Sequence, residues 1–98
     1  MLAGPPRHPP ARLDLAFVAP YELGTDKLEA AIRAAGPRTL ADVVAFDVFR
    51  GGSLAEHERS VAFHLVFQAK DRTLSDDDVQ RARERIVKGV EELGARLR

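Results

Sequence analysis

The sequence predicts an α+β sandwich in the order β-α-β-β-α-β, a four-stranded antiparallel sheet with both helices on one face. Three observations carry this reading. Apolar residues alternate with period two in three stretches, 13–18, 39–50 and 59–69. They recur at helical spacing in two others, one after Thr25 and one after Ser75. Pro20, Gly36-Pro37 and Gly51-Gly52 fall at the boundaries between these stretches.

Four prolines in the first ten residues make 1–11 an extended lead-in, with the folded domain spanning 12–98. Leu13, Leu15 and Phe17 then alternate with Asp14, Ala16 and Val18 as a first strand closed by Pro20. Thr25 is a candidate N-cap for a helix whose face is Leu28, Ala31, Ile32 and Ala35, stopped by Gly36-Pro37. Between Thr39 and Arg50, strict alternation sets Val44, Phe46 and Val48 on one side and Val43, Ala45, Asp47 and Phe49 on the other. Gly51-Gly52-Ser53 turns the chain into Arg59–Ala69. There Val61, Phe63, Leu65 and Phe67 face one way and Ser60, Ala62, His64, Val66 and Gln68 the other. Ser75 and Asp78 have the spacing of a capping box. Val79, Ala82, Ile86, Val90 and Leu93 follow as a helical face, with Gly94 as C-cap and Ala95–Arg98 as a short last strand.

Right-handed crossovers put both helices on one side of such a sheet. Leu15, Phe17, Val44, Phe46, Val48, Val61, Phe63, Leu65 and Phe67 are expected beneath them. The other side has no partner within the chain. It is expected to carry Asp14, Val18, Asp47, Phe49, Ser60, His64 and Gln68, an uncovered face with an aromatic ring, carboxylates, a hydroxyl and an imidazole.

Composition narrows the function classes. With 15 basic and 15 acidic residues the net charge is zero, so affinity for a polyanion must come from placement and shape. The absence of cysteine removes disulfides, thiolate metal sites and cysteine nucleophiles. No apolar run reaches the roughly 20 residues of a membrane span, and the start of the sequence lacks a signal-peptide core. No membrane partner and a cytoplasmic location are therefore expected. His8, His57 and His64 are scattered, no phosphate-binding glycine loop or nucleophile–base set stands out, and Asp76–Asp78 read as a helix N-terminus rather than a metal site. A non-catalytic domain with no cofactor of its own is expected.

The stretches Leu13–Val18, Phe46-Asp47-Val48-Phe49-Arg50-Gly51, Arg59–Phe63 and Phe67–Asp76 resemble one known family. It is the ferredoxin-fold anticodon-binding domain at the C-terminus of the bacterial phenylalanyl-tRNA synthetase beta chain, and the resemblance runs from Arg12 to Arg98. It implies a ferredoxin-like fold and binding of the phenylalanine tRNA anticodon stem-loop. The remaining partners it implies are the rest of the beta chain and a catalytic alpha chain; the parent synthetase would use ATP and magnesium, bound elsewhere.

By motif position the resemblance makes Phe49 the ring that stacks on the first anticodon base, with Asp47 and Ser60 as its polar contacts. His64 on the same face could stack on RNA or bond to it. Arg50 and Arg59, with Lys70 and Arg72, lie near strand ends where phosphates could be met. The chain departs from the family pattern in carrying Phe49 where Tyr is usual, Leu13 where Arg precedes Asp14, and His57-Glu58 where Gly and Lys tend to stand. Glu58 would weaken attraction to the tRNA backbone. On the residues alone the plainer reading is that Phe49 packs beneath the Gly51–Glu58 loop and Asp47 is a solvated strand residue. Two other classes share the element order. One is a small regulatory ligand-binding or dimerisation module without RNA binding. The other, an acylphosphatase-type enzyme, lacks its arginine in Ala19–Thr25.

Overall fold

The computed structural model describes residues 8–98; most of the proline-rich lead-in, residues 1–7, lies outside the described residues. The elements are β1 (Ala11–Pro20), α1 (Thr25–Ala35), β2 (Leu40–Phe49), β3 (Glu58–Phe67), α2 (Asp76–Glu91) and β4 (Arg96–Leu97). The sheet order is β2-β3-β1-β4, with every pair antiparallel. This is the expected ferredoxin-like arrangement.

The helices bury the faces their spacing dictates: Leu28 and Ile32 from α1, and Ala82, Ile86 and Val90 from α2. These close on Leu15, Phe17 and Ala19 of β1 and on Val61, Phe63, Leu65 and Phe67 of β3. Leu13 packs at the margin of this core, as its parity requires. Helix α2 opens on the expected capping box. The Ser75 hydroxyl accepts from the Asp78 N–H, and the Asp78 carboxylate accepts from the Ser75 N–H. For α1 the N-cap is Gly24 and not Thr25, and no side chain caps that end. Leu93, expected on the buried face of α2, is exposed because the helix stops at Glu91; Gly94 then takes φ +102°, the left-handed conformation glycine tolerates.

Strand β2 departs from the expected alternation. Val44, Phe46 and Val48, expected in the core, are each about half exposed, and Val43 is buried in their place. The register explains it. Leu40 pairs with Phe67 but Asp42 with Val66, and Ala45 pairs with Phe63 but Asp47 with Ala62. Each of these steps is a bulge that inserts one extra residue, Ala41 and then Phe46, and a one-residue slip moves every later side chain to the opposite face. Val43, Ala45 and Val48 therefore share the helix side with Leu65, Phe63 and Val61, while Val44, Asp47 and Phe49 share the open side with His64, Ala62 and Ser60. Val48 is on the helix side yet exposed, because it lies on the edge strand near the hairpin tip, where the buried helix residues do not cover it.

Candidate nucleic-acid interface

The open face is built from rows that cross the sheet. One row runs Phe49, Ser60, Val18, Arg96 and a second runs Val44, His64, Asp14. Glycine fixes the approach to the first: the β2–β3 turn needs positive φ at Gly51 (86°) and Gly52 (61°). A Cβ on Gly52 would stand 3.4 Å from the Phe49 ring, so the turn folds closely against that ring's edge.

Phe49 is 39% exposed, and the Arg98 guanidinium lies over its ring at 4.3 Å from the centroid. Asp47 is exposed on the same face. Ser60 also points to that face but is only 2% exposed, at the floor of the row between Phe49 and Val18. Val18, expected on this side, is likewise buried. Glu58, whose position in the family pattern tends to be basic, is engaged by both guanidinium nitrogens of Arg96 at 2.7 and 3.2 Å. That bond holds its carboxyl below the usual carboxylate range and offsets its charge near the row.

His64 is fixed from two directions. Its Nδ1 bonds the Asp14 carboxylate across the β1–β3 pair, and Phe46 lies flat against its ring, centroids 3.7 Å apart and planes 5° from parallel. The extra residue of the second bulge, expected in the core, is thus an open-face ring. Sequence alternation missed it; no residue type within the strand signals a bulge there.

The expected arginines separate. Arg50 is exposed at the end of β2, its guanidinium 5.5 Å from the Tyr21 ring centroid. Arg59 is a correction. Its odd position in β3 points it to the helix side, where it is 5% exposed and donates to the carbonyls of Pro20 at 2.8 Å and Ala19 at 3.3 Å. A guanidinium spent on closing the β1–α1 connection is not available to a phosphate. Arg72 is paired with Asp78 at 2.7 Å on the opposite end of the fold. Gln68, expected on the open face, instead donates through Nε2 to the His8 carbonyl at 2.8 Å. Among the described residues no three acidic or histidine side chains converge as a metal site, and no helix is long and apolar enough to cross a membrane.

The chain is thus a ferredoxin-like sandwich whose helices leave one sheet face uncovered, with the Phe46, His64 and Phe49 rings and the Asp47 carboxylate on that face. Its sequence places it further. The family described as ferredoxin-fold anticodon binding domain matches residues 6–98, and the chain belongs to that family. It is 42% identical over 93 residues to a phenylalanine–tRNA ligase beta subunit of Symbiobacterium thermophilum, covering 95% of this chain and 10% of that protein. With the corresponding subunit of Moorella thermoacetica the identity is 43% over 94 residues, covering 95% and 12%. The chain thus spans about a tenth of the length of these relatives.

Proposed function

We propose that this domain binds the anticodon stem-loop of phenylalanine tRNA on its open sheet face, as a part of a phenylalanine–tRNA ligase beta subunit or a stand-alone relative of that part. The observation that carries the reading is the half-exposed Phe49 ring on the same bare face as Asp47 and Ser60. RNA readers take unstacked single-stranded bases on such rings and test their edges with neighbouring polar groups. Phe49 supplies the stacking plane and lacks the hydroxyl that a tyrosine would add. Asp47, as a carboxylate, accepts from a base N–H. Ser60 is reached only by an edge that enters beside the ring. An incoming base takes over the ring face that Arg98 covers, leaving its guanidinium free to meet a phosphate, and Arg50 offers a second cation at the strand end.

Aminoacylation, with its ATP and magnesium, would belong to the rest of the synthetase, the other parts of the beta chain and the alpha chain, with this domain contributing only tRNA contacts. The test is a titration of the isotope-labelled chain with the phenylalanine anticodon stem-loop and, separately, with an unrelated stem-loop. Shifts concentrated at Asp47, Phe49 and Ser60 with the first RNA only are expected. Shifts confined to α2, or equal responses to both RNAs, would refute the site.

A further inference from the structure

A second feature of the open face is separate from the Phe49 row. Beyond His64, on the side away from the hairpin, lies a shallow groove of about 480 Å³ lined by Arg12, Asp14, Asp42, Val44, His64 and Val66; the Asp42 carboxylate lies 3.8 Å from the Arg33 guanidinium. The register puts it between the row Val44, His64, Asp14 and the next row, Asp42, Val66, Arg12. Phe46 precedes the hairpin-proximal residues Asp47 and Phe49 and backs the imidazole from that side, so the other ring face looks into the groove.

We infer that this groove is a second nucleotide subsite, in which a further base of the same RNA stacks on His64. The inference rests on the reading that the open face binds the stem-loop, and it extends that reading to residues the anticodon-base contact does not use. Four properties of the groove fit a nucleotide. Its floor is apolar, from Val44 and Val66, which suits a base face. Its wall is a ring already fixed in orientation by Asp14 and Phe46, so little side-chain freedom is lost on stacking. Since a carboxylate only accepts, the bond to Asp14 puts a proton on Nδ1, and Nε2 is left as the ring nitrogen that can meet a base edge. Arg12 stands exposed at the mouth, making no ion pair among the described residues, in reach of a phosphate. From the Ser60 row to the groove is five residues along β3, about 17 Å at 3.4 Å per residue, a span that a nucleotide loop covers and a single base does not.

The experiment measures binding of stem-loops made abasic at each loop position in turn, to the wild-type chain, His64→Ala, His64→Phe and Phe49→Ala. For the wild type, two positions should each cost about tenfold or more in affinity, in line with base–aromatic stacking. Against His64→Ala one of these penalties should vanish and the other persist; against Phe49→Ala the pattern should reverse. His64→Phe, which keeps a stacking plane, should restore affinity to within about threefold of wild type. If His64→Ala binds every RNA as the wild type does while Phe49→Ala does not, the groove is no subsite and the Phe49 reading stands. If the wild type binds no stem-loop, both readings fall. His64 is half exposed, so unchanged thermal unfolding of the two His64 variants shows that folding is not what is being read, and Phe49→Ala is measured well below its own midpoint.

Discussion

Replacing Phe49 with alanine separates recognition from folding, because the ring's two roles differ in size. In the free domain the ring is already 39% exposed, and its clearest partner is the Arg98 guanidinium at 4.3 Å. An exposed cation–π contact is worth about 0.5–1 kcal/mol. Burying a whole phenylalanine is worth about 1.5–3 kcal/mol, so a partly buried one forfeits less. Together these put the stability loss near 1–2 kcal/mol, or roughly 4–16 °C in midpoint for a domain of this size. With RNA bound, the same substitution removes a base stack worth about 1–3 kcal/mol, or roughly 5- to 150-fold in Kd. Fluorescence anisotropy with a labelled anticodon stem-loop, at one fixed salt concentration and well below the midpoint, measures the second quantity; urea unfolding measures the first. A variant that remains folded and binds within twofold of wild type would refute the stacking plane. Phe49→Tyr should bind at least as tightly as wild type, since it keeps the ring.

The buried and exposed arginines should behave oppositely. Arg59→Ala orphans the carbonyls of Ala19 and Pro20 and should cost about 3 kcal/mol in urea unfolding while leaving the salt dependence of RNA binding alone; Arg50→Ala should leave stability within about 0.5 kcal/mol and reduce that dependence by about 0.7 in log–log slope. Gly89→Ala gains about 1 kcal/mol of helix propensity, but the new Cβ would stand 2.6 Å from the Ala35 Cβ where α1 crosses α2. The helices must part, and the net effect in thermal unfolding should be destabilising by about 1 kcal/mol or more. The Ser75 N–H and then the Arg72 guanidinium hold the Asp78 carboxyl far below the usual carboxylate range. A depressed folded-state pKa contributes stability that is complete above the unfolded value near 4 and is lost as the pH falls further. Asp78→Asn should therefore narrow the gap to wild type as unfolding is followed from pH 5 down to pH 2, and a constant gap would count against the capping box as its source.

How much could be read beforehand depended on whether a residue's role was local. The helix faces Leu28–Ile32 and Ala82–Ile86–Val90, the Ser75–Asp78 box and the Gly51-Gly52 turn are all set within a few residues, and each stands as the spacing implied. Strands β1 and β3 alternate without interruption over ten residues, so their faces were legible too. What was not legible is non-local. Arg59 reads as one more surface charge until the β1–α1 connection is seen passing over it. The bulges in β2 arise from how an edge strand fits its neighbour, and nothing in the run from Leu40 to Phe49 announces that two residues will be looped out.

The correct placement of Asp47 and Phe49 despite those bulges has a definite cause. Two slips of one residue each restore the parity that one would reverse, so everything after Phe46 regains the side that strict alternation assigns. Only the interval between the bulges is inverted, and it is there that Val43 enters the core and Val44 leaves it. Phe46, as the extra residue of the second bulge, is released to lie on His64. A β2 strand without bulges would bury Phe46 and leave the imidazole unsupported, giving the open face two rings in place of three. Deleting Ala41 would test this directly: with one slip removed, Asp47 and Phe49 keep their register to β3 only if the second bulge survives. Retention of the ring-current shift that Phe46 imposes on His64, together with the β3 pairing of Phe49, would show that the two bulges are independent; loss of both would show that the first bulge sets the geometry of the second.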